Sequence, residues 1–154
     1  MKKLEELMEL ICEFNSVTVE EVKSKSRKQE VVRSRHLFHY FAWKYFKGEA
    51  TLDAIGRVSN RDHATVMNSR DRVIPTWKLL NKQGRPFNMQ QYNILEGTAH
   101  YINEYYNLND ELMRRKLKIQ KRMQELQEEL KQLSIEALIQ ERNEIQKQIS
   151  KLKS

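Results

Sequence analysis

The strongest constraint on the fold is the scarcity of helix-breaking residues in a chain whose apolar residues recur at helical spacing. The 154 residues include only four glycines and two prolines, Pro75 and Pro86. Apolar residues three and four positions apart line one face of an α-helix, and this spacing is found in both halves of the chain. Glycine and proline are the residues least compatible with a helix interior. The sequence therefore predicts an all-α protein.

In the first half of the chain, the apolar pattern indicates short helices separated by polar turns. We predict helices over residues 3–14, 18–24, 29–46 and 52–58, and the 29–46 helix carries the broadest apolar stripe and should be the centre of the core. A further helix begins near Asp62. Pro75 lacks an amide hydrogen and clashes with the preceding turn, so this helix either ends near residues 72–74 or bends there and continues through Leu80.

The second half of the chain indicates a different organisation. We place a helix-turn-helix domain at residues 1–82, a connecting aromatic-rich helix at 83–107 and a possible oligomerisation tail at 108–154. Asn107 to Asn109 should interrupt the helix, and Asp110 can cap the next one. The tail has the spacing of a coiled-coil seam, whose phase breaks after Leu133. Either one long helix carries a stutter, or Ser134 caps a second helix that folds back as a hairpin.

The charge of the chain is concentrated in one stretch. Residues 23–47 carry eight Lys or Arg residues against Glu30 alone, a net +7 that equals the excess of the whole chain. A patch of this kind favours a polyanionic partner. The single Cys12 excludes an internal disulfide and should be a buried, inert thiol. No apolar run is long enough to cross a bilayer and the acidic start is unlike a signal peptide, so we expect a cytoplasmic protein.

The most informative local stretch is Arg61–Met67, a polar cluster that opens a helix. Aspartate can accept from a cytosine amino group, histidine can contact base edges, and an alanine methyl can meet the methyl of thymine. The alternative is that Asp62 simply caps the helix and His63 is an ordinary surface residue. His36, His39 and His63 have no cysteine or carboxylate at ligand spacing, so no metal site is expected. No nucleophile elbow or other catalytic arrangement is present, and no enzyme activity is expected.

The same stretch carries a resemblance. Ser59-Asn60-Arg61-Asp62-His63-Ala64-Thr65-Val66 resembles Gly-Gly-Arg-Asp-His-Thr-Thr-Val, the signature of the C-terminal DNA-binding domain of the bacterial replication initiator DnaA. Upstream, Leu52-x-x-Ile55-Gly56 is similar to the first helix of that family's helix-turn-helix, and Ser24–Arg27 with Arg33–Arg35 to its basic loop and longest helix. The resemblance covers about residues 4–75. It implies a small helical bundle with a DnaA-like helix-turn-helix. The apolar spacing adds to this all-α fold an extra helix and a C-terminal coiled coil or helical hairpin.

The resemblance also implies roles for individual residues. Asp62, His63 and Ala64 would read base edges in the major groove, Arg27 would enter the minor groove, and Arg35 would reach a base from the long helix. Phosphate contacts would come from the remaining residues of the motif and the basic patch, namely Lys25, Lys28, Arg33, Arg61 and Thr65. Arg61 has a second expected role, packing against the turn.

Some positions depart from the family pattern. Ala64 replaces a threonine, Ser59-Asn60 replaces the paired glycines in a turn one residue shorter, and His36 stands in place of a glutamine. No Gly-x-x-x-x-Gly-Lys-Ser/Thr loop is present, so no nucleotide cofactor is expected.

Three functions remain open from the sequence. The first is a double-stranded DNA-binding protein of the bacterial nucleoid that acts on DnaA-box-like or origin DNA, in the initiation or regulation of replication, without an ATPase module. The second is a transcriptional regulator of phage or mobile-element genes, using the same contacts. The third is a helical adaptor for an acidic protein. The tail would either make a homodimer or fold back over the aromatic helix.

Overall fold

The computed structural model of the chain describes residues 2–154 and is mostly helical. No β-strand occurs in this part of the chain, although Leu80 and Pro86 form an isolated bridge. The all-α prediction is confirmed. The helices are α1 (Lys2–Asn15), α2 (Val19–Lys23), α3 (Gln29–Tyr45), α4 (Leu52–Val58), α5 (His63–Asn68), a π-helical segment (Ser69–Val73), α6 (Ile74–Trp77) and α7 (Met89–Lys153).

The chain forms two units. The first extends to Tyr106, and the second comprises Asn107–Ser154. Helix α7 contributes its first turns to the first unit and alone forms the second. Within the residues described, no helix is both long and apolar enough to span a membrane.

Local capping chemistry fixes the starts of the short helices. Thr18 and Glu21 form a reciprocal capping box at the start of α2, in which the Thr18 hydroxyl accepts from the Glu21 amide at 3.1 Å. Thr51 accepts from the Ala54 amide at 3.2 Å at the start of α4. Such caps satisfy amides that have no partner within the helix. Because each cap joins residues only three positions apart, the sequence predicts both helix starts.

The core of the first unit is built around α3, as the apolar stripe predicts. Leu37, Phe38 and Phe41 are almost fully buried. They lie in the same cluster as Leu7 and Ile11 of α1, together with residues of α4, α5, α6 and the start of α7. Burying one such side chain contributes about 1.5–3 kcal/mol, so α3 is the element on which the other helices are positioned.

Pro75 does not end the helix that begins at His63. In the π-helical segment, the Ile74 amide donates to the Ser69 carbonyl, five residues back. In an α-helix the ring of Pro75 would press on the carbonyl four residues back and leave it without a donor. The wider π-turn just before the proline relieves this conflict, as π-bulges do inside α-helices. The helical path therefore continues to Trp77, where α6 ends.

The first turns of α7 pack against the first unit. Leu95, Thr98 and Ile102 are buried. The rings of Phe14 and Tyr101 stack with their centroids 5.2 Å apart. The Tyr105 hydroxyl donates to Glu6 Oε1 at 2.7 Å. Tyr101 and Tyr105 of this helix therefore pack against α1.

The predicted interruption at Asn107–Asp110 is wrong, because α7 continues through it as one helix. Asparagine and aspartate disfavour a helix interior by less than about 1 kcal/mol each, and no glycine or proline follows Gly97. The tail forms one long helix and not the alternative hairpin. Ser134 does not cap a new helix; its hydroxyl donates to the Leu130 carbonyl at 2.9 Å within the same helix.

Candidate nucleic-acid interface

The N-terminus of α5 is fixed by a carboxylate cap. Asp62 Oδ1 accepts from the Thr65 amide at 2.8 Å and from the Thr65 hydroxyl at 2.6 Å. These hydrogen bonds, the hydroxyl bond foremost, hold the pKa of Asp62 below its usual value, so the carboxylate stays ionised. The Thr65 hydroxyl hydrogen is thus committed to Asp62, and a phosphate contact by Thr65 would require exchanging this bond.

The outer face of α5 is open to solvent at the residues expected to read bases. Asp62, His63 and Ala64 are all exposed. His63 Nδ1 lies 3.4 Å from Asp53 Oδ1 of α4, which holds the imidazole beside the helix start. Farther along, Asn68 and Arg72 line the same shallow hollow as Ala64. These two residues extend the exposed face by two turns and were not singled out from the sequence.

Arg35 is not on the exposed surface, where a base-reading residue would be expected. It is buried, and its guanidinium donates to three carbonyls at the end of α2 and in the following loop: Val22 at 2.9 Å, Ser24 at 3.1 Å and Ser26 at 3.3 Å. The last carbonyls of a helix have no intrahelical partner and favour a positive charge. Burial, followed by the charge of Arg61, lowers the pKa of Arg35. In this conformation Arg35 shapes the basic loop instead of reaching outward.

Arg61 also donates hydrogen bonds to the loop that follows α2. Its guanidinium donates to the carbonyls of Asn60 at 2.7 Å and Ser24. Asn60, which has a left-handed backbone (φ +56°), also donates through its side chain to the Lys23 carbonyl at 3.4 Å. In this structure the Arg61 guanidinium therefore packs against the loop, with hydrogen bonds to its carbonyls. The guanidinium groups of Arg35, on α3, and Arg61, in the turn before α5, therefore both donate hydrogen bonds to carbonyls of the same loop.

With its carbonyls turned inward, this loop presents its cationic side chains outward. Lys25, Arg27 and Lys28 are exposed, and Lys28 Nζ lies 3.9 Å from Glu21. Arg33 is half-buried and shares a surface hollow with Arg27 and His36. The fastening by Arg35 and Arg61 therefore holds a row of cations beside the turn that leads into α5.

A buried polar network joins α3 to the C-terminal ends of both α4 and α5. His39 Nε2 lies 2.8 Å from Ser59 Oγ at the end of α4, and its Nδ1 lies 2.8 Å from Ser69 Oγ in the π-helical segment. His36 Nδ1 is also 2.8 Å from Ser69 Oγ. Burial lowers the pKa of His39 to about 3, so the ring is neutral. No cluster of three metal-ligand side chains was found in residues 2–154.

Sequence reasoning missed this network and the loop-fastening role of Arg35. His39, Ser59 and Ser69 are polar residues at positions where the helical pattern places buried ones, and that conflict was an available signal. A buried polar group must find a partner or cost free energy. The partners lie 20 and 30 residues from His39, beyond the reach of local patterns.

Comparison with known proteins agrees with this arrangement. Residues 4–73 match the family described as the bacterial dnaA protein helix-turn-helix. The chromosomal replication initiator protein DnaA of Desulfatibacillum aliphaticivorans is 36% identical over 63 residues, which are 41% of this chain and 13% of that protein. The DnaA of Flavobacterium psychrophilum is 34% identical over 80 residues, 49% of this chain and 16% of that protein.

The chain thus spans about one-seventh of the length of these relatives. The family match covers the part of the chain that contains α3, α4, α5 and the basic loop. Residues 4–73 are a DnaA-like helix-turn-helix domain.

Proposed function

We propose that the protein binds double-stranded DNA in a sequence-dependent manner, with α5 in the major groove, and acts on DnaA-box-like or origin DNA in the initiation or regulation of replication. The observation that carries this proposal is the exposed start of α5 beside a row of fixed cations. His63 and Ala64 are exposed at the start of α5, where they can face base edges, and the neighbouring loop supplies phosphate-binding charge.

The structure supports a division of labour among the expected contacts. His63, Ala64 and the ionised Asp62 supply base reading, and Arg27 on the adjacent loop reaches the flanking groove. Lys25, Lys28 and Arg33 neutralise phosphates and set the salt dependence. Arg35 and Arg61 act as positioning residues, because their donors are used by loop carbonyls.

DNA binding by these residues needs no nucleotide, so we expect this chain to bind its DNA site in the absence of ATP. Its place in the cell is the bacterial nucleoid.

Fluorescence anisotropy on two duplexes, one with a DnaA box and one with the box scrambled, tests the proposal. We expect tighter binding to the box without ATP. His63→Ala should reduce the ratio of the two affinities, whereas Lys28→Ala should weaken both equally and lower the salt slope by about one. Lys82→Ala, outside the patch, is the matched control. Equal affinity of the wild-type protein for both duplexes would refute sequence-dependent binding.

Genome-wide occupancy tests the replication role. Enrichment at an origin supports it. Enrichment confined to promoters of phage or mobile-element genes would replace it with transcriptional regulation.

The second unit adds self-association to this proposal. Its apolar residues are exposed along the described helix, and a homodimer would place two reading helices on paired half-sites. Sedimentation of the full chain gives the test: a monomer at micromolar concentration refutes self-association and leaves DNA binding by one domain untouched.

A further inference from the structure

One face of the second unit carries a continuous apolar stripe. Its members follow one another by seven, four, three, four and three residues and are 42–63% exposed. Such spacing keeps the residues on one side of a helix and is typical of a two-stranded seam. We call this set the tail stripe: Leu112, Ile119, Met123, Leu126, Leu130 and Leu133.

Four charged residues flank the tail stripe on one side, at intervals of seven residues. Two are basic, Arg115 and Arg122, and two are acidic, Glu129 and Glu136. Arg122 lies 3.7 Å from Glu129 Oε1, one heptad farther along, which shows that the two side chains follow the same line. The flank is therefore basic in its first half and acidic in its second.

We infer that the tail stripe pairs with the same stripe of a second copy in antiparallel orientation. In an antiparallel pair, the flank beside the stripe of one helix faces the same flank of the other helix, running in reverse. Arg122 then meets the second copy's Glu129, and Arg115 its Glu136. Twofold symmetry repeats both pairs, which gives four ion pairs across the interface.

The same register aligns the apolar residues. Met123 packs against the second copy's Leu126, Ile119 against Leu130, and Leu112 against Ala137. Each layer occurs twice because the pair is symmetric. One polar residue, Lys116, falls in the seam opposite the second copy's Leu133, where its aliphatic stem can pack while the ammonium reaches water.

A parallel pair would also bring the apolar residues of the tail stripe together, but it does not satisfy the conditions on Lys116 and on the flanking charges. It would set Lys116 against its own copy in the seam, which is a like-charge contact. It would also pair Arg115 with Gln120 and Arg122 with Gln127, so that no flanking ion pair forms. Charge complementarity thus selects the antiparallel arrangement for this segment.

The apolar residues beyond the tail stripe take no part in this interface. The run from Ile135 to Leu152 lies about 100° farther round the helix, at 100° per residue. A straight pair buries one face only. The interface therefore ends near Ala137, and its centre lies between Gln124 and Glu125.

This inference rests on the self-association proposed above. Charge reversal in the full chain distinguishes a failure of the antiparallel orientation from a failure of self-association itself. One variant carries Arg115→Glu and Arg122→Glu, and a second carries Glu129→Lys and Glu136→Lys. We expect each alone to dimerise at least about 30-fold more weakly than the wild type, and an equimolar mixture to regain the wild-type affinity.

Arg114→Glu with Lys121→Glu is the matched control, because it makes the same charge change on the far side of the helix. Dimerisation of either reversed variant at wild-type affinity, or a mixture that stays monomeric, would overturn the antiparallel pairing. A monomeric wild type would overturn both self-association and its orientation, while the DNA-binding test remains independent.

Cysteine cross-linking gives a second readout of orientation. In a Cys12→Ala background, chains with Ile119→Cys should cross-link to chains with Leu130→Cys. Chains with Ile119→Cys alone should cross-link poorly, since the two copies of that position lie about 16 Å apart along the pair. Efficient cross-linking of Ile119→Cys to itself would establish the parallel arrangement and overturn the inference.

Discussion

Replacing Gly56 with alanine adds one methyl group where α4 comes closest to the turn before α5. A Cβ atom built at Gly56 overlaps the Arg61 carbonyl oxygen and lies 3.3 Å from the carbonyl carbons of Arg61 and Asp62. These are backbone atoms, held in place because the Arg61 amide donates to the Gly56 carbonyl at 2.8 Å. The overlap can be relieved only by moving the turn that orients α5.

The expected magnitude follows from two opposing effects. Alanine gains about 1 kcal/mol over glycine in a helix interior. Overpacking costs about 1–3 kcal/mol, and the upper end applies here because backbone must shift. We expect Gly56→Ala to lower the free energy of unfolding by about 2 kcal/mol and to weaken discrimination between box and scrambled DNA.

Gly97→Ala provides the matched comparison in the same unit. There the added Cβ would lie 3.0 Å from Cζ and 3.3 Å from Cε1 of Phe14. Phe14 is 41% exposed, so its ring can swing aside, and the helix-propensity gain should leave stability unchanged or slightly higher. Urea unfolding followed by circular dichroism measures both variants. If Gly56→Ala is as stable as Gly97→Ala, the close approach does not constrain the turn.

Three further predictions concern buried polar groups. Arg35→Lys should lower the free energy of unfolding by about 2 kcal/mol, since lysine cannot reach three carbonyls at once. The loosened loop should then be cleaved faster by trypsin at Lys25 and Lys28. Unchanged cleavage would contradict the role of Arg35 in holding the loop. The pKa of His39 is lowered from 6.5 to about 3, so the folded state binds fewer protons and stability falls as pH drops below 6.5. The free energy of unfolding should fall by about 2 kcal/mol between pH 7 and pH 5. Urea titrations at both pH values should show this decrease in the wild type and a smaller decrease in His39→Asn. Burial raises the pKa of the Cys12 thiol to about 11, so a thiol reagent at pH 8 should react only at the rate of unfolding; immediate reaction would show that α1 opens locally.

Local physical chemistry determined much of this protein from its sequence. Capping residues such as Thr18 and Thr51 begin helices because they bond to amides within three residues, and apolar spacing marks the buried face of α3 because a helix repeats every 3.6 residues. The resemblance of Arg61–Val66 to the DnaA motif identified the helix-turn-helix domain, and the charge of residues 23–47 indicated a polyanionic partner. Each of these signals lies within a few turns of chain.

The tertiary structure decided the features that depend on distant partners. Arg35 is buried because the end of α2 brings three carbonyls to its guanidinium, whereas a local pattern shows only one more cation in a basic stretch. His39 joins Ser59 and Ser69 because α3 passes between α4 and the π-helical segment. Polar side chains take their roles from whatever the fold places within hydrogen-bonding distance, and sequence spacing does not encode that distance.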